Sequence, residues 1–435
     1  MSQTKIPYDP SPISRDSGGG GGSYKQKHSV SSGVPTKRKR SIVGGLVVLA
    51  LLVVAIVGGY LLGGILNKPG GSQTLNLNYD VKTDSEDISI PASKAKLSAV
   101  VIGSGGSDES GNSFSADNLP SYSQLLSNTS NQGAGVIYSI DKQRGEAYII
   151  TCEHVVRGFD SQPVFVCVYD SLKALKAEVV GAVKSQDLAV LKISGEQLKS
   201  GKILAATLAD SSYIAEGEKI FAVGNAIKNG FSVQDGIISA PSVHVTVGQT
   251  TNIRTIQLSA GINSGNSGGG FFNKNGELLG IVKAKADTFN GAPAQDIGYA
   301  LPINRVASIT QNIINNQGSD NIYYAPAGYA AKENRIIMHK DETTSVEYRL
   351  SEVVVSGISS SCDAYKGGNG LQNGDILKSV SFGGKTYSIN TVYAFDDIKY
   401  LITRNMYVSY EVQRGGQTLT IGYNVDIVST LQVDH

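Results

Sequence analysis

The sequence predicts a mainly β protein attached to a membrane by a single N-terminal transmembrane helix. Three observations carry this. From Leu97 onward the chain runs in short apolar or alternating segments, rich in β-branched residues and separated by Gly, Asn and Asp, as strands and turns are. No regular alternation of strands with helical repeats is present, which excludes a parallel α/β sheet. Upstream, residues 42–66 contain no charged side chain.

Taken in order, residues 1–41 are Ser-, Gly- and Pro-rich with few large apolar side chains, and predict a disordered basic tail that cannot bury enough surface to offset chain entropy. Residues 1–40 hold eight basic and two acidic side chains, so the net charge of +1 is a cancellation of +6 against −5 over the remaining 395 residues. Segment 42–66 would extend roughly 38 Å as a helix, at about 1.5 Å per residue, enough for a hydrocarbon core of about 30 Å. The basic cluster Lys37, Arg38, Lys39, Arg40 abuts it and orients the N-terminus to the cytoplasm. That adjacency argues against a nuclear-localisation or nucleic-acid role for the cluster. The expected location is the cell membrane, single-pass, with everything after residue 67 extracytoplasmic. Residues 67–95 are polar and read as a spacer. Three cysteines exclude a disulfide-stapled scaffold.

Residues 96–318 form the first ectodomain. Strand-like runs lie at 99–102, 146–151, 164–169, 177–183, 188–193, 219–223, 236–239 and 278–282. A polar stretch at 103–132 predicts a long exposed loop. A helix closes the domain, with Pro302 in its first turn, Val306, Ile309 and Ile313 on one face, and Gly318 as a stop.

The chemistry concentrates at Gly265-Asn266-Ser267-Gly268-Gly269, between two strand-like runs. Glycines around a serine permit a tight turn that exposes the hydroxyl and aims backbone N–H groups at one point, supplying a nucleophile and an oxyanion hole from the same few residues. A serine needs a base. Of five histidines, His28 is cytoplasmic while His339 and His435 lie beyond the domain. His154 follows an apolar strand, where a base can face a cleft; His244, in an alternating Val/Thr segment, reads as an exposed strand position. An imidazole needs a carboxylate to fix its tautomer, and Asp187 stands at the start of an apolar strand. The order His154, Asp187, Ser267 is that of chymotrypsin among known triads.

These residues, with Gly133 to Ile137, Val223-Gly224-Asn225, Gly276 to Ile281 and Ile297 to Asn304, resemble the HtrA (high-temperature-requirement) family of trypsin-like serine proteases over residues 96–318. The resemblance implies a chymotrypsin-like double β-barrel with His154 as general base and acid, Asp187 as its orienter, Ser267 as nucleophile, and the N–H groups of Gly265 and Ser267 on the oxyanion. Ser264 and Gly270 stand where the family usually has prolines, which implies a less preorganised loop. Residues 240–243 hold no counterpart of the family's activating arginine. Gly261, six before Ser267, replaces the acid of trypsin-type enzymes and argues against cleavage after Lys or Arg, leaving small or medium apolar P1 residues. Cys152 and Cys167 are either a disulfide across a hairpin or two small buried hydrophobes.

After a linker at 319–328, residues 329–428 resemble the small α+β PDZ domains that follow HtrA proteases, most clearly at Gly370 to Leu377, with a helix-like stretch from Ala394 to Ile402. The expected partners are unfolded protein or peptide substrates and, at this domain, C-terminal peptides. The family also implies a homotrimer. No cofactor, metal or nucleic acid is expected, because the protease-domain histidines lack ligand spacing and no phosphate loop is present. The expected function is a membrane-anchored extracytoplasmic serine endopeptidase cleaving unfolded or damaged proteins. The alternative is a catalytically inactive, membrane-anchored peptide-binding scaffold.

Overall fold

The computed structural model describes residues 88–435 apart from 159–160, 170, 248–249, 286–287, 290–291, 294–296, 325–327 and 341–346. The apolar segment 42–66 and the basic tail lie outside the described residues, among which no helix is long and apolar enough to cross a membrane.

Helix α1 (Ser89–Lys96), at the end of the stretch read as a spacer, buries Ala92 and Ala95 on the first core. A closed antiparallel barrel follows, built from β1 (Ala99–Ser104), β2 (Asn131–Asp141), β3 (Glu146–Thr151), β4 (Val164–Val168), β5 (Leu175–Val183) and β6 (Leu188–Ser194) in the order β1-β2-β3-β6-β5-β4. Closure leaves no unpaired edge, and Ile102, Val136, Ile149, Val166 and Leu191 fill its centre with no exposed surface.

Segment 103–132 is not the wholly exposed loop its polarity suggests. It contains α2 (Tyr122–Asn128), started by a reciprocal cap: the Gln124 N–H donates to the Ser121 hydroxyl at 3.3 Å, and the Ser121 N–H to the Gln124 side-chain Oε1 at 3.0 Å. Phe114 and Leu125 then bury against Phe165. Leu119, Tyr122 and Leu126 pack against the same cluster, so the polar stretch is held onto the barrel by its few apolar side chains.

One turn of helix, α3 (Glu153–Val156), follows β3. The second closed barrel orders its strands β10-β11-β14-β9-β8-β7: β7 (Lys219–Gly224), β8 (Ser232–Val247), β9 (Thr250–Leu258), β10 (Gly270–Asn273), β11 (Leu278–Lys285) and β14 (Gly298–Pro302). The short pair β12 (Thr288–Phe289) and β13 (Ala292–Pro293) stands apart from it. Helix α4 (Ile303–Asn315) has Pro302 at its N-cap, one position earlier than its first turn, and buries Val306, Ile309 and Ile313. Burying such a side chain contributes about 1.5–3 kcal/mol.

The segment expected as a linker carries a strand, β15 (Asn321–Tyr324), with Ile322 buried. The C-terminal sheet then runs β16 (Tyr329–Lys340), β17 (Glu347–Ile358), β18 (Ile376–Phe382), β20 (Tyr407–Arg414) and β21 (Gln417–Asn424), with β19 (Lys385–Ser388) on β18 and α5 (Val392–Ile398) packed over it. The last strand, β22 (Ser429–Gln432), returns to pair with β15, and Leu431 and Val433 join the first barrel's core. Asp434 and Ala182 of β5 exchange backbone hydrogen bonds of 2.8 and 2.9 Å. A buried ion group ties α5 to the protease barrels. Asp397 accepts from Arg254 of β9 at 2.8 Å and from Arg305 of α4 at 3.0 Å.

Candidate active site

The first barrel supplies the imidazole and the carboxylate. α3 begins where β3 ends, so His154 sits at the rim with 36% of its side chain exposed. Asp187 lies between β5 and β6, which are joined by a tight turn at Lys184–Gln186. Its φ of +51° is left-handed, a conformation that Asp tolerates better than most residues, and it turns the side chain under His154. His154 Nδ1 lies 3.0 Å from both Asp187 oxygens, and the His154 N–H donates to Oδ1 at 3.1 Å. The imidazole is thereby held at two points, with Nε2 directed away from the carboxylate.

The second barrel supplies the serine. Gly265 has φ +95°, and a Cβ there would stand 2.0 Å from the Asn225 carbonyl; Gly268 has φ +84°, and its Cβ would meet the Ala134 carbonyl at 2.1 Å. Only glycine fits either position. Among the described residues no backbone carbonyl accepts from the Gly265 or Ser267 N–H. The Ser267 hydroxyl donates to the Lys283 carbonyl at 3.1 Å. Hydrogen bonds therefore join His154 to Asp187, while Ser267 is bonded to a neighbouring strand. His244 lies on β8, exposed.

Strand β11 organises the whole cleft. The Val282 N–H donates to the Gly269 carbonyl, and the Val282 carbonyl accepts from the Gly268 N–H, both at 2.8 Å. That same carbonyl accepts from Cys152 Sγ at 3.4 Å, pinning the serine loop to the turn that bears His154. One residue on, Lys283 takes the Ser267 hydroxyl on its carbonyl and sends its ammonium to Asp187 Oδ2 at 2.7 Å. Lys283 is 1% exposed. Sequence reasoning missed it, because a lysine after an apolar run and before Ala284-Lys285 reads as the outward face of an alternating strand.

Burial pushes the Asp187 carboxyl up, but the His154 hydrogen bond and charge, followed by Lys283, outweigh it and hold the group below its ordinary value of 3.8. Burial, with the Asp187 carboxylate next in weight, pushes the Cys152 thiol well above its ordinary 9.0. Ligand atoms of Cys152, His154 and Asp187 fall within 4.8 Å of one another. A protonated thiol and a carboxylate already bound by an ammonium suit proton transfer rather than cation binding. Cys152, Cys167 and Cys362 are all free and buried, so the hairpin disulfide is not formed and the two protease cysteines pack as small apolar side chains.

The profile of the trypsin-like peptidase domain matches residues 133–281. The serine protease Do-like HtrA of Lactococcus lactis subsp. lactis (strain IL1403) is 36% identical over 282 residues, covering 62% of this chain and 64% of that protein. The serine protease Do-like HtrB of Bacillus subtilis (strain 168) is 30% identical over 306 residues, covering 66% of this chain and 60% of its own length. The chain thus spans less than two thirds of either relative. A solved HtrA-type protease, AlgW with a decapeptide, aligns over 79% of this chain and 99% of its own at 26% identity, with a TM-score of 0.45.

Proposed function

We propose that the chain is a trypsin-like serine endopeptidase of HtrA type acting on unfolded or damaged proteins outside the cytoplasm, a reading supported by its match to the trypsin-like peptidase domain and its similarity to HtrA serine proteases. The observation that carries the reading is the convergence on β11 of a carboxylate-oriented imidazole from one barrel and a glycine-flanked serine from the other. In the reaction, Ser267 rotates from the Lys283 carbonyl toward His154 Nε2, giving up a hydrogen bond of about 1 kcal/mol. His154 takes the hydroxyl proton as Oγ attacks the scissile carbonyl. The N–H groups of Gly265 and Ser267 hold the oxyanion, and His154 returns the proton to the leaving amine. Water, activated by the same imidazole, then releases the acyl group from Ser267.

Several finer features belong to the same reading. Residues 42–66 are the single-pass anchor, with residues 1–41 cytoplasmic. Residues 329–428 are a PDZ-like domain offering C-terminal peptides a sheet edge, and the assembly is a homotrimer. Gly261 leaves room without charge at the base of the P1 site, so small or medium apolar residues precede the cut.

A second reading, a catalytically silent peptide-binding scaffold, draws on the Ser267 hydroxyl bonded to a carbonyl instead of His154. Incubating the solubilised full chain with a reduced, alkylated polypeptide separates the two. The protease reading expects cleavage after apolar residues that disappears in Ser267→Ala. No cleavage by the wild type, even with added C-terminal peptides, favours the scaffold, and a profile dominated by Arg or Lys overturns the P1 assignment.

A further inference from the structure

The cleft contains a cation that the proton-transfer scheme above does not use. Lys283 projects from β11 of the second barrel, is buried, and places its ammonium 2.7 Å from Asp187 Oδ2, on the carboxylate that also receives His154 Nδ1 at 3.0 Å. We propose that Lys283 is a positioning residue of the catalytic group: its charge competes with His154 for the Asp187 carboxylate and holds the resting enzyme at a low rate. The inference rests on the triad reading of the preceding subsection.

The physical argument is electrostatic. A carboxylate beneath an imidazole favours the imidazolium that forms as Ser267 loses its proton. A second cation on the same carboxylate, in a site too buried for water to screen it, offsets part of that help. The other charged groups facing the pair are few. Glu153 of α3 is bonded to Arg157 at 2.6 Å, the Cys152 thiol is protonated, and residues 261–269 contain no ionisable side chain. Asp187 itself titrates under the influence of His154 and Lys283. With Lys283 already paired to Asp187 and Glu153 paired to Arg157, no second carboxylate among these groups is left to balance an imidazolium at His154. The Lys283 backbone adds a second restraint by holding the Ser267 hydroxyl, and that restraint survives any side-chain substitution, which lets the two be separated.

The rate of fluorophosphonate labelling of the full chain, followed from pH 5 to 9, tests the proposal. Oγ displaces fluoride from phosphorus and His154 takes the proton, so the rate reports the base without a peptide substrate. In Lys283→Met the acid limb moves up by roughly one pH unit, and the plateau rate rises roughly three- to tenfold. Lys283→Arg keeps the wild-type acid limb. Lys283→Gln, which retains a donor to Asp187 but no charge, follows Met and serves where Met does not fold. Superposed profiles for wild type and either neutral variant overturn the proposal, as does an Arg variant that behaves like Met. Absence of labelling in the wild type, or labelling that persists in Ser267→Ala, instead refutes the triad reading on which it rests.

Discussion

Two buried aspartates each receive two basic side chains from different parts of the chain, and their settings differ in one respect. Asp187 is bonded to Lys283 and His154, and His154 stays 36% exposed at the mouth of a cleft. Asp397 is bonded to Arg254 and Arg305 with no exposed surface of its own, and the guanidinium groups lie over Tyr393 at 4.5 Å and Tyr400 at 5.7 Å. Arginine, always charged and seated on aromatic faces, makes a fastening between the protease barrels and the C-terminal domain. Histidine, able to gain and lose a proton at one open face, makes a reactive site. On the proposed triad reading, the same carboxylate chemistry serves anchorage when closed and catalysis when one partner is left accessible.

The comparison predicts unlike consequences for like substitutions. Asp187→Asn removes the charge that supports the imidazolium, and the labelling rate of the folded protein falls by roughly 10⁴. Asp397→Ala strands two buried guanidinium groups and lowers stability by about 3–5 kcal/mol in urea denaturation, while the labelling rate of the folded protein changes less than threefold. A rate loss in the second variant as large as in the first would break the division between the two sites.

Acid sharpens the same contrast. The Asp187 carboxyl is held below its ordinary value in the folded protein, chiefly against burial and through His154 and then Lys283. It therefore contributes stability that is complete above the ordinary value of 3.8 and is lost as pH falls through the depressed one. Urea denaturation between pH 6 and 3 should show this loss in the wild type and a shallower dependence in Asp187→Asn. The smallest expected effect is at His244, exposed on β8. His244→Ala should leave the labelling rate within about 30% of wild type and stability within about 0.5 kcal/mol.

Strands β1, β3 to β8 and β11, with α4, were legible because alternation and apolar spacing are local signals, whereas β2, β9, β10 and β14 were not among the strand-like runs. The Gly265–Gly269 turn was legible because glycines around a serine are themselves a local signal, although the backbone that crowds them, Asn225 and Ala134, comes from far along the chain. What escaped the sequence is long-range. Lys283 meets Asp187 across 96 positions, and nothing in Val282-Lys283-Ala284 distinguishes a buried cation from a solvated one. The β15–β22 pair joins segments on opposite sides of the C-terminal sheet, so residues 319–328 read as linker although Ile322 is buried. The Arg254–Asp397–Arg305 group spans two domains, and each of its members alone reads as surface charge. Helix α2 was the exception, a local signal passed over: Ser121 and Gln124 carry the capping spacing in a stretch whose polarity dominated the reading.

The most direct test of the central claim is to map, by mass spectrometry of proteolytic fragments, the site at which a fluorophosphonate modifies the full chain. A single adduct on the fragment containing Ser267, absent in Ser267→Ala and strongly slowed in Asp187→Asn, is the predicted result. An adduct on another residue, or none even with unfolded polypeptide and C-terminal peptides present, contradicts it.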